Sequence, residues 1–316
     1  MHTHPPPPKK PSLLQQWRQT GILWAVLSPL FLGIIPILAK LAYQVGVDVY
    51  SLIAIRTLFA TLILWGYVLL FNRRWAESSA PATLSSLLAG GINGFGSIFF
   101  YASLTRIDAS LGQLINITYL IFVTFILRLL GQKISLLTLF RTALAILGIY
   151  WLTAGGLGDP DWLGIGFMLI AALSYAVQLV LSQRIMYEIP AITMTLYAIT
   201  GMSLVVLLPW LLMGQPLQNI SLAGWQAIFW MGLATALSRL TLFLGVKRLG
   251  SIQTALFGVA EVVVTILIAA AFLGEQFTLS QWTGGVIILI SILLVNFERD
   301  VPRLVDWWRF FWNRRM

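Results

Sequence analysis

Glu261 stands inside an otherwise apolar run, Gly250–Leu273, where a carboxylate is unexpected unless it has work to do. It lies about eleven residues into that run, roughly 16 Å from one end at about 1.5 Å per residue. A charged group at such a depth in a bilayer costs roughly 2.5–3.5 kcal/mol on insertion scales, so it faces protein or water. There it can bind an amine or exchange a proton; the alternative is a structural acid held by neighbouring helices. Arg239, near the end of the preceding apolar run, lies about 6 Å from Glu261 in depth, within reach of an extended side chain. A pair would lower the cost of both charges, and pairing in at least one conformation is expected. An arginine so placed can instead snorkel to the headgroups.

Polar groups elsewhere in apolar runs are further candidates. Asn93 and Asn116 need partners in lipid and can find them in a ligand or in each other. Tyr175 and Gln178 are three residues apart and share a helix face. Together with Trp24, Tyr101, Tyr119, Tyr197 and Trp230 they are the material for an aromatic and polar cavity, although aromatic side chains also form interfacial belts. Trp210 and Trp282, near run ends, read as belt residues. Gly90, Gly91, Gly94 and Gly96 surround Asn93; small residues let helices approach closely or leave room for a ligand.

Several chemistries are excluded. There is no cysteine, hence no disulfide, thiolate or Cys-based metal site. The two histidines, His2 and His4, sit in the Pro-rich tail HTHPPPPKKP, so no metal site and no cofactor are expected. No G-x-x-x-x-G-K-[ST] sequence occurs for a nucleotide-driven pump. Apart from Asp161 at the very start of one run, the apolar runs hold no acid besides Glu261, which removes the paired groups that intramembrane hydrolysis needs. No ring of charges or filter-like loop suggests a channel.

The elements that must position these residues are membrane helices. With 59% hydrophobic and 10% charged residues, the chain is not a soluble globular protein. About 20 apolar residues cross a bilayer, and ten such runs are predicted: 21–41, 50–71, 83–103, 109–130, 136–154, 161–182, 190–213, 222–246, 250–273 and 281–297. The expected fold is an all-α integral membrane protein. Strand-like alternation, which a β-barrel requires, is absent from the sequence.

A net charge of +9 does not here signify nucleic acid. With the amino terminus in the cytosol, all Lys and Arg except Lys40, Arg56, Arg106 and Arg239 fall on cytosolic segments, as the positive-inside rule requires for an even number of spans. Both termini are therefore expected in the cytosol and the protein in the plasma (inner) membrane. Residues 1–20 read as a disordered cytosolic tail; the full-length first span lacks a small-residue cleavage site and is expected to be retained. Residues 298–316, ERDVPRLVDWWRFFWNRRM, suit a segment lying on the membrane surface beside anionic lipid, or a helix for a protein partner.

The chain also repeats itself. Gly131-Gln132-Lys133-Ile134-Ser135 falls on Gly274-Glu275-Gln276-Phe277-Thr278, an offset of 143 residues, and one residue's adjustment places Lys40 on Arg184 and Tyr43 on Tyr187. The halves, 21–154 and 161–297, each hold five predicted spans and join at the turn-forming Gly155–Asp161. An odd number of spans inverts the second half, giving the 5+5 inverted-topology repeat common in secondary transporters, where substrate sits between the repeats near the midplane. A duplicated scaffold without transport is the other reading.

These features resemble the EamA-type branch of the drug/metabolite transporter superfamily. The resemblance rests on Ala260-Glu261-Val262-Val263, Leu273-Gly274-Glu275-Gln276-Phe277-Thr278, Gln281, Gly284-Gly285, Lys40 at the close of span one and Arg56 early in span two. It covers residues 21–297. The chain departs from the family pattern at Val262, often Pro, at Thr118-Tyr119, which has neither acid nor proline, and at Gln132, where the second half has Glu. Neither a helix kink nor a duplicated acidic site follows from these residues. The resemblance implies a secondary carrier of amino acids, related metabolites or organic cations, exporting rather than importing, with Arg56 added to the site. A non-transporting receptor or scaffold is the alternative. Membrane lipid and a small-molecule substrate are the expected partners, with protons as a coupling ion through Glu261. A homodimer is left open, because glycines that pack within and between chains look alike. The Gly274–Thr278 turn reads as structural, with Thr278-x-x-Gln281 as a capping box.

Overall fold

The computed structural model describes residues 13–130, 136–154, 161–249, 259–275 and 278–294. The tails, the linker at 155–160 and the first-half turn Gly131–Ser135 lie outside the described residues. All regular structure among those described is helical: α1 (Leu13–Gln44), α2 (Val49–Phe71), α3 (Ala80–Leu104), α4 (Ala109–Asn116), α5 (Tyr119–Leu129), α6 (Leu136–Ala154), α7 (Trp162–Ile185), α8 (Ala191–Met213), α9 (Leu222–Leu249), α10 (Val259–Phe272) and α11 (Leu279–Leu293), with short 3-10 turns at Arg73–Ala76 and Leu217–Asn219. Seven segments among the described residues are long and apolar enough to cross a membrane: Leu23–Gln44, Val49–Phe71, Ala80–Leu104, Ala109–Leu129, Trp162–Ile185, Ala191–Met213 and Leu222–Arg248. The chain is a multi-pass membrane protein.

Local sequence explains where helices begin. Asp48 accepts hydrogen bonds from the Tyr50 and Ser51 amides and caps α2. Ser79 caps α3 through the Ala82 amide, with Pro81 in the first turn. Asp161 caps α7 through Gly164 and holds an ion pair with Arg106, whose bond keeps its carboxyl below the usual range. The outward faces carry exposed Leu62, Leu70, Leu84, Leu88, Leu204, Leu208 and Leu211, as lipid contact requires.

The two halves interlock. α1 packs chiefly on α9 and α10, while α3 packs on α7 and α8. α2 meets α8, and α6 meets α11. Under the 143-residue offset these pairs map onto one another: α1 against α9 becomes α7 against α3. At the α3–α8 crossing Gly90 faces the Ala198 carbonyl and Gly201 faces the Leu87 carbonyl, both so close that any Cβ would collide with backbone.

Span four differs from its sequence reading. The run 109–130 is two helices, broken at Ile117-Thr118 without a proline. The Thr118 hydroxyl donates to the Ile115 carbonyl (2.7 Å) and the Thr118 amide bonds the same oxygen (3.1 Å), closing a tight i→i−3 turn. A hydroxyl that competes for backbone carbonyls supplies what the absent proline does not.

The start of α4 is tied to the other half. Asp108 occupies the N-cap position but makes no side-chain cap. Glu275, in the turn after α10, instead accepts from the Ala109 amide (2.9 Å) and the Ser110 amide (3.1 Å). Lys40 lies near both acids. Burial, then the neighbouring Glu275, push the Asp108 carboxyl above its ordinary value, with Lys40 opposing. The turn is thus structural as expected, though it caps a different helix. The side chain of Gln281 lies outside the described residues, so the Thr278-x-x-Gln281 box does too.

Candidate functional site

A cavity of about 70 Å³ opens where α1, α2, α3, α4, α7, α9 and α10 converge. One water needs roughly 10–15 Å³, so the space admits several waters or a small organic molecule. The first half contributes Leu32, Ile35 and Pro36 from α1, Arg56 from α2, a stripe of Asn93, Ser97 and Tyr101 with Gly96 and Phe100 from α3, and Asn116 from α4. The second half contributes Ala171 and Tyr175 from α7, Thr235 and Arg239 from α9, and Glu261 from α10.

Backbone irregularity serves this cavity. Pro36 has no N–H to offer the Leu32 carbonyl one turn earlier, and both residues line the space. The Gly33 carbonyl beside them accepts from the Thr265 hydroxyl of α10 (2.9 Å), which fastens α1 to the helix that carries Glu261. Asn116 is the last residue of α4 before the break at Ile117, so the interruption ends that helix against the cavity.

Three charged side chains face one another here, each nearly removed from solvent. Arg56 donates through Nη1 to the Thr235 hydroxyl (2.8 Å), and its guanidinium lies 4.5 Å from the Tyr101 ring centre. Arg239 donates through Nη1 to Gln178 Oε1 (3.4 Å) and lies 5.3 Å from the Tyr175 ring centre. Nε of each arginine is buried without a hydrogen-bond partner. Tyr119 supports Tyr175 from behind, with ring centres 4.7 Å apart edge to face. Asn93 donates to the Met202 sulfur at 3.4 Å. Gln113 approaches Glu261, yet neither of its amide atoms reaches hydrogen-bond geometry.

All eight sequence candidates therefore meet. Arg56, Asn93, Asn116, Tyr175, Arg239 and Glu261 line the cavity, and Tyr119 and Gln178 stand directly behind Tyr175 and Arg239. Arg239 is buried rather than snorkelling. No ion pair joins it to Glu261 in this structure; among the described residues the pair present is Arg106–Asp161. Of the aromatic candidates, Tyr101 lines the space, whereas Tyr197 bonds the Ala76 carbonyl and Trp230 is exposed. Thr235, Ser97 and Gln113 were not singled out from sequence. Two were detectable: Ser97 lies four residues from both Asn93 and Tyr101, and Thr235 four from Arg239, which stacks each on one face. At the position equivalent to Glu261, Thr118 turns its hydroxyl to its own backbone, so the first half offers no acid.

The sequence profile of the EamA-like transporter family matches the chain twice, over residues 19–154 and 162–297. The uncharacterized transporter YcbK of Bacillus subtilis is 24% identical over 266 residues, 80% of this chain and 85% of the relative. An uncharacterized transporter of Archaeoglobus fulgidus is 24% identical over 272 residues, 85% of this chain and 93% of the relative. A solved crystal structure superposes with a TM-score of 0.64 at 16% identity, covering 88% of this chain and 97% of the other, a likeness of fold.

Proposed function

The chain belongs to the EamA-like transporter family, and from that premise we propose that it is a secondary carrier of small metabolites working by alternating access. It is a transporter and not an enzyme; the substrate, the direction and the mechanism are the proposal. Ten spans with both ends in the cytosol of the plasma membrane form two inverted halves, 21–154 and 161–297, that rock about the cavity. Substrates are amino acids, related metabolites or organic cations, moved outward.

One observation carries this reading. Arg56, Arg239 and Glu261 are 3%, 9% and 6% exposed, yet they meet at a polar cavity inside a molecule whose outer faces are apolar. Buried intramembrane charges are expensive and mark substrate or ion pathways. Glu261 has Gln113 beside it but outside hydrogen-bond geometry, and borders the cavity, which leaves it open to a ligand or a proton. Pairing of Arg239 with Glu261 in another conformation is retained as part of the proposal, since both side chains border the same space.

Uptake and exchange of a labelled metabolite panel by proteoliposomes tests the carrier. Saturable flux that falls at least tenfold in Glu261→Gln is expected. Absence of flux for every member, in either direction, refutes transport of these classes. Proton coupling predicts a rate that follows an imposed pH gradient; a rate indifferent to the gradient removes that part.

A further inference from the structure

The charges around the cavity do not cancel. Arg56, Arg239 and Glu261 are the charged side chains that line it among the described residues, so its formal sum is +1 with Glu261 ionised. A guanidinium carries five N–H donors, and among the described residues each arginine has a single hydrogen-bonded side-chain acceptor: Thr235 for Arg56 and Gln178 for Arg239. Tyr101 and Tyr175 cover the guanidinium faces. A ring over the face leaves the edge, where the N–H groups lie, available to a planar acceptor. Among the described residues no carboxylate takes that role, because Glu261 forms no ion pair with either arginine. Glu261 itself remains open to a donor.

Resting on the carrier reading above, and narrowing its substrate classes to the metabolites related to amino acids in place of the amino acids and organic cations themselves, we infer that the ligand is a small monocarboxylate carrying a neutral donor, as in a 2-hydroxy acid. Its carboxylate sits between Arg56 and Arg239, and its hydroxyl donates to Glu261. One negative charge brings the lined cavity to neutrality. A zwitterion leaves the sum at +1 and an organic cation raises it to +2. A phosphate monoester carries about −1.5 to −2 at neutral pH and overshoots. Leu32, Ile35 and Phe100 provide the apolar wall for a short alkyl chain.

The test is calorimetric titration of the purified full-length chain in detergent with 2-hydroxypentanoate, pentanoate, 2-aminopentanoate, pentylamine and inorganic phosphate. The expected order places 2-hydroxypentanoate first, pentanoate next, and the zwitterion, amine and phosphate at least tenfold weaker than the hydroxy acid. Arg56→Gln and Arg239→Gln each weaken the hydroxy acid by about tenfold or more, the loss of a charge-assisted hydrogen bond. Arg239→Lys keeps the charge without the fork and falls between. Glu261→Gln raises the cavity sum to +2, so pentanoate binds as tightly as before or tighter while the advantage of the hydroxyl shrinks. A zwitterion, amine or phosphate that binds as tightly as the hydroxy acid overturns the inference, as does failure of every probe to bind. Melting temperatures of the variants separate lost binding from lost folding. The two readings fail separately: hydroxy-acid binding without flux refutes the carrier alone, and flux of amines without acid binding refutes the inference alone.

Discussion

Removing the Glu275 side chain should loosen the joint between the two halves at the start of α4. The carboxylate accepts from Ala109 and Ser110, whose residues are 0% and 1% exposed, so water cannot easily replace it. Hydrogen bonds to a charged group contribute about 1.5–3 kcal/mol each when buried, and an anion at a helix N-terminus adds about 0.3–1 kcal/mol. Glu275 is itself partly exposed, so solvent screening discounts the sum to below its low end, and the expected loss for Glu275→Ala is about 2–3 kcal/mol in total. At roughly 2.1 cal/mol/K per residue of unfolding entropy, that corresponds to a fall in Tm of about 3–5 °C. Glu275→Gln keeps one acceptor oxygen without the charge and should lose about half as much. The assay is thermal unfolding of the purified protein in detergent, with the exposed Glu188→Ala as control. A Tm for Glu275→Ala within about 1 °C of the parent, or one no lower than that of the control, would show that the cap contributes little and refute this account of the turn.

Other consequences are equally concrete. Gly90→Ala and Gly201→Ala each press a methyl group onto a backbone carbonyl of the facing helix and should cost about 3 kcal/mol, the upper end for overpacking against atoms that cannot swing aside. Gly66→Ala, with open space at the same position on α2, should be neutral or stabilise by up to about 1 kcal/mol; thermal unfolding of the three variants compares them. Asp108 has a raised carboxyl in the folded chain, so its contribution to stability is complete below its ordinary value near 3.8 and is lost as pH rises through the raised folded value. Asp108→Asn should therefore raise Tm at pH 7, and the gain should vanish when both proteins are melted near pH 3.5.

What could be read before the structure was a matter of rarity. A carboxylate or guanidinium in a long apolar run is conspicuous, which marks Glu261 and Arg239, while family position marks Arg56. Spacing along a helix gave Tyr175 and Gln178 a shared face, and both reach the same arginine. Depth along a run, however, says nothing about rotation about the helix axis. Arg239 and Glu261 lie at compatible depths, yet Arg239 turns to Gln178 and Tyr175 instead of to the acid. The break in span four arises from the Thr118 hydroxyl on its own backbone, a competition that no proline advertises. Glu275 looked like part of a local turn because its two partners lie more than 160 residues away in sequence. Such long-range hydrogen bonds depend on tertiary packing, which residue type alone does not specify.

Because the chain has no native cysteine, a single introduced thiol reports on the cavity directly. Ser97→Cys places it on α3 among the lining residues. Reaction with a membrane-impermeant, charged thiol reagent is followed separately in right-side-out and inside-out vesicles. Alternating access predicts modification from both sides, and protection from both sides by a transported substrate. Modification confined to one side, whatever substrate is present, would contradict a carrier that turns about this cavity.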